Sequence, residues 1–221
     1  DKALEYFKTG YDMATEYGHA KASTIFTSNM GDIYYRSLQL DEALKYLETS
    51  RNLSNEIGNY KGIILSNLNL GLIYLRTEKC SKADEIYNFI EETNNEKPLV
   101  DSELLTSYYT FMGEYCKHYG KLEEALKYYG LLSEITKEYS NRDYLFAESN
   151  IFIIKGLMFS DYKKNKLVNI FNEYQINEMN SIELEICLLF AMISVKFDDI
   201  DYAKKILDVY SKYDQNKNIN L

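Results

Sequence analysis

Apolar residues recur at spacings of three and four over long stretches, as Leu4, Phe7 and Tyr11 do near the start, and short polar turns break the pattern. That is the period of an amphipathic helix. It predicts helices near 1–17, 20–38, 41–57, 60–78, 81–95, 99–119, 122–140, 143–159, 162–175, 181–197 and 200–213, with a frayed tail over 215–221. The fold class is therefore all-α. Stop signals stand at Tyr17-Gly18, Ile57-Gly58 and Tyr139-Ser140-Asn141, where glycine or asparagine supplies the left-handed residue of a helix C-cap.

The chain also repeats itself. Stretches starting at Asp1, Asp41, Ser81, Glu123 and Asp201 align without gaps on Ala3, Ala43, Ala83, Ala125 and Ala203, at spacings of 40, 40, 42 and 78. The double spacing places a degenerate copy near residue 163, with Lys163 where the alanine should be. Gly31, Gly71 and Gly113 each precede their alanine by 12 residues, and Tyr34 and Tyr74 by nine. In the fourth and fifth units Ile151 and Ala191 take the glycine position. A pair of antiparallel helices explains this. The small residues sit where the two backbones come closest, and Met30, Leu70, Met112, Phe7, Leu47, Tyr87, Tyr129 and Leu207 fill the space around them. One pair cannot bury its own apolar face, so the pairs stack and share a core.

The spacing of small residue, tyrosine, alanine and later aromatic resembles the tetratricopeptide repeat over residues 1–214, in units near 1–18, 20–58, 60–96, 99–140, 143–175 and 181–213. The first three full units match well and the last two poorly. The resemblance implies a right-handed α-solenoid of about five and a half helix pairs. The sequence departs from the family pattern in its period, near 40 against roughly 34, and in lacking the proline that closes the second helix. Longer helices with such ends resemble two subgroups: kinesin-light-chain and Pins/LGN-like scaffolds, and bacterial peptide-sensing regulators of the Rap/PlcR/NprR type. The latter carry a helix-turn-helix domain ahead of about five repeats. The first residue is Asp1 rather than Met and falls inside a helical pattern, so the chain reads as part of something longer.

Composition narrows the function. One proline (Pro98), ten glycines and no tryptophan argue against a sandwich or barrel, while 22 tyrosines need a place in the repeat. Tyr6, Tyr46 and Tyr128 recur at core positions. The net charge of −9 is spread evenly, with 11 basic and 15 acidic residues in 1–100 and 14 against 19 in 101–221. There is thus no basic face for nucleic acid or anionic lipid. No apolar run spans a membrane, and no signal peptide is visible. Cys80, Cys116 and Cys187 read as buried thiols of a cytoplasmic protein. No phosphate loop exists, because Tyr115 stands where Gly120-Lys121 would need an upstream glycine. His19 and His118 lie far apart, and no metal-ligand spacing occurs. Cys116 and His118, two apart on one helix, point in different directions. The expectation is no catalytic residue, no metal and no cofactor.

A ligand would lie along the first helices. Counted back from each alanine, inward positions are Ile25, Ser28, Asn29, Asp32, Tyr35 and Arg36; then Leu65, Leu68, Asn69, Leu72, Leu75 and Arg76; then Ser107, Thr110, Phe111, Glu114, Lys117 and His118. The fourth unit offers Leu145, Glu148, Ser149, Phe152, Lys155 and Gly156, and the fifth Glu185, Leu188, Leu189, Met192, Val195 and Lys196. Asn29 and Asn69 share one repeat position, Arg36 and Arg76 another. The family resemblance implies that such asparagines clamp a peptide backbone, since an amide offers a donor and an acceptor, or else they cap neighbouring groups or face water. The arginines suit a carboxylate, or else pair with nearby acids. The leucines of the second unit form an apolar pocket or lie under another helix. The exposed flank of helix 1–17 suggests a homodimer. Two readings follow: the peptide-sensing domain of a quorum-sensing transcription regulator, or a scaffold for protein–protein or self-association.

Overall fold

The structure, a computed structural model, describes residues 2–158, 162–176 and 179–218. Among the described residues it is all-α, with eleven helices and no strand. They are α1 (Lys2–Glu16), α2 (Ala20–Arg36), α3 (Leu40–Glu56), α4 (Tyr60–Arg76), α5 (Cys80–Glu96) and α6 (Ser102–His118), then α7 (Leu122–Thr136), α8 (Asn141–Met158), α9 (Lys164–Ile176), α10 (Ser181–Lys196) and α11 (Ile200–Asn218). α11 thus takes in 215–218 of the expected frayed tail, and 219–221 lie outside the described residues.

One turn ends helix after helix. Gly18 and Gly58 take φ of 69° and 64°, the left-handed form the sequence requires there. Inside the helix pairs the same conformation falls on Leu38 (60°), Glu78 (54°) and Asp198 (59°) as well as Gly120 (71°). The Leu38 amide donates to the Tyr35 carbonyl and the Gln39 amide to that of Tyr34. Glu78 and Lys79 repeat this on Leu75 and Tyr74, Gly120 and Lys121 on Lys117 and Cys116, Asp198 and Asp199 on Val195 and Ser194. These paired bonds satisfy end carbonyls and turn the chain back. Asn141 is not a cap of this kind: it opens α8, and the Ser140 amide bonds Thr136.

The chain divides into two compact units, the first ending at Tyr128 and the second beginning at Tyr129, within α7. In unit 1 each helix packs on its successor from α1 to α5, and the first helices α2, α4 and α6 also pack on one another. That packing order is the mark of a solenoid. Its core joins Ala43, Leu47, Ile64, Leu70, Ala83, Ile90, Phe111 and Met112. Glycine here leaves room for side chains of the neighbouring helices. A Cβ on Gly31 would stand 2.6 Å from Leu47, and one on Gly71 2.5 Å from Phe111 of the next first helix. Neighbouring interfaces are filled differently. Gly10 accommodates the Phe26 ring, whereas one repeat on Ser66 donates to Ser50, which donates to the Thr24 carbonyl. One repeat further, Ile90 and Tyr108 belong to the apolar core. Ala3 and Tyr6 do not join it: α1 packs against α2, and both residues face outward. Tyr46, by contrast, stacks on Tyr34 at 5.3 Å, and Tyr128 packs against the core.

In unit 2, α8 packs on α9 and α10, and α10 on α9 and α11. Leu167, Phe171, Cys187, Phe190, Ala203 and Ile206 lie in its core. Lys163 is exposed, before α9 begins. Each intact second helix carries its alanine three residues after its start. Leu167 holds that place in α9 and is fully buried, so the degenerate anchor is Leu167, not Lys163. Leu207, an expected core residue, is exposed.

Opposite stability changes follow in unit 1. Gly71→Ala lowers stability by about 1–3 kcal/mol through overpacking against Phe111. Glu78→Gly raises it by about 0.5–1 kcal/mol by relieving the left-handed conformation of an exposed side chain. Urea denaturation of each variant measures both signs.

Candidate functional site

The first helices of unit 1 carry the expected inward residues on the face that α2, α4 and α6 share. Ser28, Asn29, Asp32, Tyr35 and Arg36 on α2 are half-buried, as are Leu65, Asn69 and Arg76 on α4 and Ser107, Thr110, Glu114 and Lys117 on α6. Ile25 and His118 are exposed. Asn29 and Asn69 are equivalent by repeat, and among the described residues neither amide makes a hydrogen bond. Other helix asparagines here do: Asn67 donates to the Ile63 carbonyl at 2.9 Å and Asn150 to that of Phe146 at 3.0 Å. The polar atoms of Asn29 and Asn69 are not sealed from solvent, so both amides are open to a ligand.

Charges gather towards the C-terminal ends of these helices. Arg36 Nε donates to both carboxylate oxygens of Asp32, at 3.0 and 2.8 Å. Arg76 stands over the Tyr35 ring, 6.0 Å from its centre, and Lys117 pairs with Glu114. Arg36 is thus paired with an acid of its own helix, whereas Arg76 meets a tyrosine ring of the neighbouring first helix. The Asp32–Arg36 pair is partly exposed and spans one helical turn, a geometry that contributes only a few tenths of a kcal/mol. A ligand can therefore exchange it at little cost. Burial pushes the Tyr35 hydroxyl up to about 12, with the nearby Glu114 carboxylate adding to the effect.

Four expected face residues are core instead. Phe111 and Leu68 are fully buried, and Leu72 and Leu75 are nearly so. Phe111 holds the repeat position of Asn29 and Asn69, but its ring fills the space that Gly71 leaves. The row of asparagines therefore stops at two. In unit 2 the expected inward positions also split: Leu145, Ser149, Phe152 and Gly156 are buried, while Leu189, Met192 and Val195 form an exposed apolar stripe on α10. Lys196 is bonded to the last carbonyls of α8, at Gly156 and Leu157.

Sequence reasoning missed a second cluster, between α5 and α6. Tyr115 and Tyr119 both donate to Asp84 Oδ1 at 2.7 Å, Tyr108 donates to Glu91, and the Tyr87 and Tyr115 rings stack at 4.3 Å. The bond to Asp84 pushes Tyr119 up to about 12. These partners lie 17 to 35 residues apart, and only the turn of the chain between the helices brings them together. Cys80 is half-exposed rather than buried, with its sulfur 3.6 Å from His118 Nε2. Among the described residues no group of three His, Cys, Asp or Glu side chains could hold a metal ion, and no helix is long and apolar enough to cross a membrane.

Tyr35 gives a titration test. Its pKa is raised from the ordinary 10.0 to about 12 on folding, so the folded protein holds this proton more tightly. That contribution to stability is complete below pH 10 and is lost as pH rises through about 12. An ultraviolet difference titration of wild type against Tyr35→Phe shows one tyrosine ionising near 12, and Glu114→Gln lowers its midpoint.

Comparison with known proteins falls on α2 and α4 of this face and not on α6. No curated protein matches the chain. Residues 21–88, from α2 into α5, match the family model described as tetratricopeptide repeat, a repeat that mediates protein–protein interaction.

Proposed function

We propose that unit 1 binds an extended segment of a partner protein or peptide along the α2–α4–α6 face, with Asn29 and Asn69 gripping its backbone. The observation that carries this is the pair of equivalent, half-buried amides whose donors and acceptors go unused among the described residues. Packed helices stand about 8–10 Å apart. An extended peptide advances about 3.3 Å per residue. Two amides on neighbouring helices therefore match peptide groups three residues apart. Leu65 offers the segment an apolar contact, and the Asp32–Arg36 and Glu114–Lys117 pairs offer charges that a side chain of either sign can displace. In the narrower form of this reading the ligand is a short signalling peptide and the chain is the sensing domain of a bacterial transcription regulator. The resemblance of the long-period repeats to such regulators supports it.

Calorimetry against a library of short peptides tests the binding. Asn29→Ala and Asn69→Ala should each weaken a selected peptide by roughly 5–100-fold, the range for a lost buried hydrogen-bond partner. Affinity indifferent to both changes would sink the proposal. A second reading, self-association within a scaffold, is favoured by the exposed Tyr6 and Met13 on α1 and Tyr17 just after it. It predicts a concentration-dependent dimer by light scattering that Tyr6→Lys with Met13→Lys abolishes.

A further inference from the structure

The three thiols have different surroundings. Cys116 and Cys187 are buried, and burial pushes their ionisation up to about 11 and about 12. Cys116 also stands 3.7 Å from a carboxylate oxygen of Glu124, which opposes negative charge on the sulfur. Cys80 is half-exposed and is the first residue of α5, a helix with no side-chain cap. His118, the last residue of α6, places Nε2 3.6 Å from Sγ. The imidazole meets the Tyr119 ring edge-on at 5.1 Å, and the Tyr119 hydroxyl is anchored on Asp84. The turn after α4 and the end of α6 thus bring together a nucleophile, a proton acceptor and access for a reactant.

We infer that Cys80 is a reactive thiol that reduces hydroperoxides, with His118 as its proton relay. Sγ attacks the outer oxygen of the peroxide. The S–O bond forms as the O–O bond breaks. The thiol proton passes to Nε2 of His118 and then to the departing oxygen, releasing an alcohol, or water when the oxidant is hydrogen peroxide. Sulfur loses two electrons, the peroxide gains two, and Cys80 becomes a sulfenic acid. The inference is independent of peptide binding on the α2–α4–α6 face.

The reduced chain is exposed to sub-stoichiometric hydrogen peroxide with dimedone, which traps sulfenic acid, and each cysteine peptide is then weighed by mass spectrometry. Adduct is expected on Cys80 and not on Cys116 or Cys187, whose protection also reports that the fold is intact. His118→Gln, a change at an exposed position, slows adduct formation at Cys80 roughly tenfold or more, as removal of a general base does. Wild-type Cys80 also outcompetes free glutathione in the same tube. Equal rates in wild type and His118→Gln, labelling of all three cysteines alike, or a Cys80 no faster than glutathione would each overturn the inference.

Discussion

A helix pair of this length cannot cover its own apolar side, and every other feature follows from how each pair borrows cover from the next. The exchange is side chain into gap. Leu47 occupies the space left by Gly31, and Phe111 the space left by Gly71. Burying one such side chain contributes on the order of 2–3 kcal/mol, so two exchanges rival the net stability of a small domain. The same demand shapes the surface. Because Phe111 turns inward to meet Gly71, α6 has no third amide to place beside Asn29 and Asn69. Packing thus decides how long the row of unused amides can be.

Helix ends form the second constraint. Leu38, Glu78 and Asp198 adopt a conformation that disfavours their side chains, because the paired amide–carbonyl bonds at those turns outweigh the local strain. The turn also sets which residues begin and end the helices. Two residues after Glu78 comes Cys80, and two before Gly120 comes His118. The thiol and the imidazole face each other because both flank the same recurring turn.

Much of this was legible in the sequence. Alternation of apolar and polar positions located all eleven helices, most ends falling within two residues of expectation. The alanine anchors Ala43, Ala83 and Ala125 proved fully buried. What periodicity could not carry was context. Leu38 and Glu78 give no local sign of a left-handed backbone, since the neighbouring helices impose it. Lys163 took the anchor's place by counting alone, whereas α9 begins later and buries Leu167. Phe111 occupies the asparagine register, and only the missing side chain of Gly71 on another helix shows why it is core. Cys80 and His118 are 38 residues apart, so a search for nearby dyads had to consider Cys116 and reject it.

The varied filling of one interface position has a consequence for assembly. Successive repeats are so alike in length and pattern that, while the chain is folding, any second helix resembles a suitable neighbour for any first helix. At equivalent sites unit 1 sets glycine against a phenylalanine ring, then serine against serine, and then isoleucine and tyrosine within the apolar core. A helix that docked one repeat out of place would leave a serine hydroxyl facing a ring, or force a ring onto a branched side chain, at a cost of about 1–3 kcal/mol per mismatch. The differences between repeats, which weaken the resemblance among them, thereby act as addresses that give each helix one proper neighbour.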